Sequence, residues 1–410
     1  MLPNNTFKIA ILTQSHLSRN PRVLKEAIAL SNKGFDITVL STKTDDSLSI
    51  EDNNLISNTN VKLYYYSDVS NSADKSRKFK FRIIRKLALI ALGTFNYQSG
   101  HSLGYGFSKL NSYAKEMNAD LYICHQEMAS IAGVQLAKSG FNVAFDLEDW
   151  YSEDLLPESR KNRPLNLLKE TEKFALNNGV YCTTTSKSMA IKMGEDYHSS
   201  PPEYIYNSFP LTLDNPINNI KNDRLDLRKP SFFWFSQTIG PGRGLETFLQ
   251  AVTLIDTPIE IHLRGNCNAQ YKNQLQLIIA KTKHDLFFHE LVQNIELPFY
   301  IRQHDIGLAL EANKPKSRDL TVTNKILQYL LEGLTVIASD TEGQKEIADI
   351  VPAQVFLYQN ENIESLANII QLAIKAQLNK SKISNFPEEL SWDSQKDKIV
   401  LLVSQFLHPK

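Results

Sequence analysis

The sequence predicts an α/β protein built from two doubly wound, parallel-sheet domains. Three observations carry this expectation. Short apolar runs, right for buried parallel strands, alternate with helical patterns. The alternation pauses in a polar stretch between 208 and 230 and then starts again. The chain has 410 residues, too many for one ordinary core and about right for two.

The first element is Phe7–Thr13, a short apolar run. Asn20 then offers a helix cap, with Pro21 at the first helical position. Val23, Leu24, Ala27, Ile28 and Leu30 recur at helical spacing, and Gly34 supplies the left-handed residue on which helices end. Phe35–Leu40 is the second strand. Asp120–Cys124, Asn142–Phe145 and Val180–Thr184 follow as strands, with Tyr204–Tyr206 just before the crossover. The first domain is therefore expected over 1–207. A linker at 208–230 is rich in Asn and Asp. The second domain, 231–388, opens on the aromatic strand Ser231–Ser236, a glycine loop and the helix Leu245–Leu254. Its further strands are Ile259–Leu263, Ile306–Leu310 and Thr335–Ser339. Ligands of such sheets bind beyond the carboxyl ends of the strands. A cleft faced by both domains is the expected site.

Composition narrows the function classes. Lys and Arg number 45, as do Asp and Glu, so no global field draws nucleic acid. Cys124, Cys182 and Cys267 lie far apart. That offers no zinc motif and suits a reduced, cytoplasmic protein. The opening Met1–Thr13 lacks the basic leader, apolar stretch and cleavage site of a signal peptide. No apolar run approaches the ~20 residues of a membrane span. Lys75–Lys86 breaks the pattern. It holds Lys75, Arg77, Lys78, Lys80, Arg82, Arg85 and Lys86 without an acid, and runs into Leu87–Leu92. It reads either as a surface anchor to a membrane or as a solvated helix docked by its apolar side.

Two segments of the second half carry the chemistry. Ser236–Gly244 follows a strand and opens a helix, with glycines at 240, 242 and 244. Gly240, Gly242 and Gly244 let the backbone approach a ligand, and the helix start behind them points N–H groups at it. Arg243 adds a permanent charge with a planar donor fork suited to a diphosphate. The loop is neither a Walker A loop nor GxGxxG, and alone it also reads as a tight connection. The second segment is Thr321–Gly333, ahead of Thr335–Ser339. Thr323, Asn324 and Lys325 stand at its helix start, where free amides and a cation can meet phosphate. Gln328, one turn on from Asn324, can reach a ribose hydroxyl. Asn324 also reads as a simple cap, and Lys325 as a solvated charge. Arg264-Gly265, ending a strand, contacts nucleotide or makes a turn.

Together these segments resemble the nucleotide-sugar domain of family 4 glycosyltransferases, which have two Rossmann-like domains in the GT-B arrangement. Arg243-Gly244 matches the family's basic–glycine pair. Gly333 with Val336, Ile337 and Ala338 matches the end of its helix motif, and Asn324–Tyr329 resembles a variant common in surface-polysaccharide assembly. The resemblance runs along nearly the whole chain. Asn20–Leu24 looks like the start of the family's first helix, and Tyr122–Gln126 like the strand end delivering an active-site histidine, here His125. Phe145–Tyr151, Ile205–Asn207 and Ser391-Trp392 resemble later family segments, the last leading a C-terminal helix, 389–410, that packs back toward the first domain. Four positions depart. Gln237 stands for an arginine, Gln328 for a ribose-binding glutamate with Leu320 at the motif's earlier acidic position, and Glu148 for a second histidine.

The resemblance implies transfer of a sugar from a nucleoside diphosphate sugar, with UDP the expected nucleotide. The acceptor would be a glycan or a lipid-linked glycan at the inner face of a membrane. It implies retention of configuration and no metal, in keeping with the lack of a D-x-D triplet. Arg243 and Lys325 would stabilise the leaving diphosphate. His125 would position the sugar, although a histidine at a strand end is also a common structural residue. His16, Asn20 and Arg22 are acceptor-side candidates. Glu148 and Asp149 are the bases if the enzyme inverts, or members of a solvated loop. A sugar-nucleotide epimerase on the same architecture, and a GT-B protein that binds nucleotide or glycan without turnover, are the alternatives.

Overall fold

A computed structural model describes residues 6–211, 221–378 and 386–408. The expected linker thus lies partly outside the described residues. The chain forms two compact units. The first takes the chain up to Ile205 and again from Lys396, and the second is Tyr206–Gln395.

The first unit holds a parallel sheet of β1 (Lys8–Leu12), β2 (Asp36–Lys43), β3 (Lys62–Asp68), β4 (Leu121–His125), β5 (Val143–Leu147), β6 (Cys182–Thr184) and β7 (Glu203–Tyr204). Its order is β3-β2-β1-β4-β5-β6-β7. The central strands β4 and β5 are buried along their whole length, which is why their residues are apolar with so little alternation. The helix Pro21–Asn32 begins as the sequence predicts: Asn20 accepts a hydrogen bond from the Val23 amide.

The second unit holds β8 (Ser231–Ile239), β9 (Glu260–Cys267), β10 (Asp285–His289), β11 (Ile306–Ala309), β12 (Thr335–Ser339) and β13 (Val355–Tyr358). All pairings are parallel, in the order β10-β9-β8-β11-β12-β13. Phe232, Trp234, Ile261, Leu263 and Leu308 face one side, where Leu249, Leu366 and Ile370 of the covering helices are fully buried. Phe233 and His262 face the other side with His304 and Tyr329, as the two-residue strand period requires.

Several boundaries differ from expectation, and β9 runs on to Cys267. β2 runs on to Lys43, and β8 continues through Gln237 to Ile239, so the glycine loop starts four residues later than Ser236. The cause is a register shift between Phe235 and Thr238, after which β8 and β9 pair again. Gly265 permits that shift: at φ +151° it lies so near Ser236 that a Cβ would come within 2.2 Å of the Ser236 carbonyl oxygen.

Candidate functional site

In the second sheet the chain reverses direction of winding between β8 and β11, since β9 lies on one side of β8 and β11 on the other. The loops leaving these two strands therefore part from each other and leave a crevice beyond their carboxyl ends. The first segment singled out in the sequence leaves β8; the second follows the helix Lys316–Leu320 in the connection from β11 to β12. Gly242 and Gly244 each adopt φ +73°, a left-handed conformation that costs other residues about 1–2 kcal/mol. Gly244 is also pressed on the β11 loop, where a Cβ would stand 2.9 Å from Leu310 Cβ. It caps the helix Leu245–Val252 without a side chain, so the first N–H groups of that helix are left for a ligand. Gly240 is partly buried at the end of β8, and Gln237 is exposed.

Across the crevice, Thr323 is the N-cap of the helix Asn324–Leu331 but makes no capping hydrogen bond. Its hydroxyl oxygen is buried and has no partner. Buried hydroxyls are rarely left so, and one at a helix start invites a ligand oxygen. Lys325 Nζ lies 3.0 Å from Glu311 Oε1 and 5.7 Å from the centre of the Trp234 ring. Its charge is thus already met by a carboxylate, and the indole face steadies it. Asn324 is exposed and accepts from the Asn207 amide at 2.9 Å. Gln328 is partly buried one turn further on. Arg243, partly exposed in the glycine loop, pairs with no carboxylate among the described residues.

Arg264, expected to contact nucleotide or to make a turn, is bonded within the second unit. Residue 264 faces the histidine side of the sheet, where one guanidinium nitrogen donates to the Glu290 carbonyl oxygen and another to Asp223. The group lies 3.9 Å from the centre of the Tyr300 ring, and the residue is 4% exposed. Two of its nitrogens are bonded within the fold, and Nε is buried without a partner. Behind it His262, His289 and His304 stack near Asp223. Burial drives His262 down to about 2, with His304 and His289 adding to the effect. Burial also lowers His289 and His304.

In the first unit the structure brings together His125, Glu148, Asn20 and Arg22, and adds Glu26 and Asp146. His125 ends β4, with Nδ1 3.0 Å from Glu148 Oε1 and Nε2 2.5 Å from Glu26 Oε2. Asn20 donates to the same Glu148 oxygen at 2.7 Å. Arg22 donates through Nε to Asp146 at 2.8 Å and through Nη1 to the Ile205 carbonyl oxygen at 2.7 Å. Burial pulls the His125 imidazole down, but Glu26, Asp146 and Glu148 outweigh it and raise it to about 10. Near neutral pH His125 is therefore an imidazolium with both N–H groups committed to carboxylates. Both ring nitrogens are thus already partnered within the first unit. Burial likewise resists charge on Asp146, yet Arg22 and His125 hold its carboxyl below the usual range. Glu26, His125 and Asp146 place three atoms of metal-ligand type within 4.8 Å of one another. Arg22 Nε donates to one Asp146 oxygen, whereas the other is buried without a partner.

His16 is likewise built into the fold. Nδ1 lies 2.7 Å from Asp52, and Nε2 accepts from the Thr44 amide at 3.0 Å, so neither nitrogen is free for an acceptor. The crevice of this first sheet lies between β1 and β4. There Gln126 has φ +69° and ψ 171°, a region almost reserved for glycine. Its side-chain oxygen accepts from the Thr13 hydroxyl at 2.8 Å, the Gln14 amide at 3.1 Å and the Ser15 hydroxyl at 3.0 Å. Strain on the backbone is thus matched by three bonds that tie the β1 loop to the β4 loop.

Sequence reasoning missed Glu26, Glu311 and Gln126 as site members. Glu26 had one local signal, its place one helical turn after Arg22 on a face otherwise apolar. Glu311 had another, an acid directly beyond an apolar strand.

No family model matches this sequence, and no curated protein resembles it in sequence. The fold does have solved relatives. Sucrose-phosphate synthase from Thermosynechococcus elongatus is similar over 98% of this chain and 100% of its own, with a TM-score of 0.68 and 14% identity. HepE of Anabaena, solved with UDP and glucose, covers 98% and 99% with a TM-score of 0.62 and 15% identity. The UDP-GlcNAc 2-epimerase of Neisseria meningitidis, solved with UDP-GlcNAc, covers 97% and 100% with a TM-score of 0.53 and 12% identity. The architecture is GT-B, two parallel-sheet α/β units with seven and six strands among the described residues. The identities are low enough that they speak to fold alone.

Proposed function

We propose that this protein is a glycosyltransferase that takes a sugar from a nucleoside diphosphate sugar, with UDP as the nucleotide. In this reading the acceptor is a glycan or lipid-linked glycan of surface-polysaccharide assembly, and transfer is metal-independent and retaining, as in family 4. The observation that carries the reading is the β8/β11 crevice. The loop after β8 carries Arg243, a cation without a carboxylate partner among the described residues, and Lys325, close in sequence to the buried unpartnered hydroxyl of Thr323, reaches Glu311 just past β11. That set suits a diphosphate. Negative charge builds on the departing diphosphate as the bond to the anomeric carbon breaks, so fixed donors there lower the barrier most. Arg243 and the loop amides meet this charge, while Lys325, held by Glu311, adds to the local positive potential. Solved relatives of this fold hold UDP with glucose and UDP-GlcNAc, which supports the choice of ligand. The likeness to an epimerase supports a second reading, in which the nucleotide sugar is epimerised without an acceptor.

Binding of UDP and of UDP-sugars by calorimetry, with wild type and Arg243→Ala compared, tests the site. We expect the loss of at least ~100-fold in affinity for UDP, in line with about 3 kcal/mol for a charge-assisted bidentate contact. Unchanged affinity in a folded Arg243→Ala would place the diphosphate elsewhere. Incubation of each UDP-sugar alone and with membrane glycolipid then separates the activities. Acceptor-dependent UDP release supports transfer, whereas an epimer formed without acceptor overturns it.

A further inference from the structure

The helix Lys75–Phe95 has 21 residues and two apolar faces. The inner one is covered by the first unit: Leu92 is buried, Phe81, Ile84 and Ala88 are partly buried, and Arg85 lies over the Tyr105 ring at 5.0 Å. The outer one is bare. Phe79, Ile83, Leu87 and Ile90 follow the helical period onto one stripe and are 65%, 39%, 59% and 50% exposed. An ordinary surface helix hides its single apolar face and shows a polar one; this helix shows a second apolar stripe to solvent.

Charge borders the stripe on both sides. The helical period sets Lys75, Arg82 and Lys86 along one flank and Arg77 and Lys80 along the other. All five are exposed, and none forms an ion pair with a carboxylate among the described residues. The helix contains seven of the chain's 45 cations and no acid. In a chain with no net charge, this is a local positive field without an internal partner. The helix is held at its start, where Asp74 accepts from the Arg77 amide, so the stripe is presented on a formed element and needs no folding on contact.

We propose that this face docks on an anionic lipid bilayer, with the helix in the plane of the interface. A bilayer answers both features at once: acyl chains accept the stripe, and anionic headgroups on either side meet the flanking cations. No helix among the described residues is long and apolar enough to cross a membrane, so the contact is one of lying on the surface. The inference rests on this helix alone and stands whether or not the chain transfers sugar.

Flotation with vesicles of pure phosphatidylcholine, and of phosphatidylcholine with phosphatidylglycerol, tests it. Wild type should float with the anionic vesicles, stay down with the neutral ones, and be released by salt. Arg82→Gln with Lys86→Gln should weaken partition about 25-fold, at about fivefold per cation. Phe79→Ser with Leu87→Ser should weaken it at least ~10-fold, with UDP binding and melting temperature unchanged because both positions face solvent. Leu87→Trp should shift its emission to the blue on vesicle addition. Wild type that stays in solution with anionic vesicles overturns the proposal, as does flotation that neither double variant reduces. A chain that is dimeric in solution and made monomeric by Phe79→Ser with Leu87→Ser also overturns it, assigning the face to a second copy.

Discussion

His125→Gln tests the buried cluster of the first unit. The substitution keeps a polar side chain of similar size and removes the cation that stands between Glu26 and Glu148. A histidine in an unfolded chain titrates near ~6.5, and His125 is held at about 10. The difference amounts to about 5 kcal/mol of preference for the charged form. Removing one partner from a buried ion cluster costs about 3–5 kcal/mol, so both routes agree. Because the folded value is the higher one, the contribution is complete below ~6.5 and is lost as pH rises toward 10. Wild type should therefore lose stability in the first unit between pH 7 and 10. His125→Gln should start lower and lack this decline between pH 7 and 10. Adding Glu26→Gln should recover part of the loss. Urea unfolding followed by Trp150 fluorescence reads the first unit, once Trp234→Phe and Trp392→Phe silence the second. A cost below ~1 kcal/mol, or a wild-type stability flat from pH 7 to 10, would refute the reasoning.

Other expectations concern the second unit. Gly244→Ala should destabilise it by about 1–2 kcal/mol, since φ is +73° and a Cβ meets Leu310, and it should impair UDP binding by shifting the loop; a melting curve with a binding isotherm reads both. Arg264→Met should cost about 3 kcal/mol by leaving the buried Asp223 with less positive charge nearby, yet leave UDP affinity intact, which separates a structural from a ligand-binding arginine. His262, His289 and His304 are held below their ordinary values, so their stabilisation is present above ~6.5 and lost as pH falls. Unfolding read by Trp234 alone should show the second unit weakening from pH 7 to 5.

The central strands were legible because burial on both faces makes them continuously apolar; β4, β5, β11 and β12 are buried throughout. The strands that escaped notice are edges. β3, β10 and β13 are the outer strands of their sheets or mix exposed and half-buried positions, so their residues keep too much polarity to read as strands. The glycine loop and the Thr323–Lys325 helix start were legible as chemistry, because glycine, arginine and a helix start state their use locally. Their partners were not. Glu311 reaches Lys325 across 14 residues, Asp223 reaches Arg264 across 41 and Glu26 reaches His125 across 99, and no local pattern reports a pairing of that span. For the same reason Arg264 and His16 looked available for ligands until their partners were in place.

The first unit is completed by residues beyond the second. Lys398 lies over the Tyr204 ring, and His408 packs edge-on against Phe7, while Tyr206–Gln395 form a unit of their own. The Tyr206 amide donates to Gln395 Oε1 at 2.9 Å, so the chain enters and leaves that second unit at neighbouring points. The second unit therefore has all its residues in a chain cut back to Gln395, whereas the first does not. Such a chain should show a protease-resistant second unit beside a first unit that is still open to cleavage.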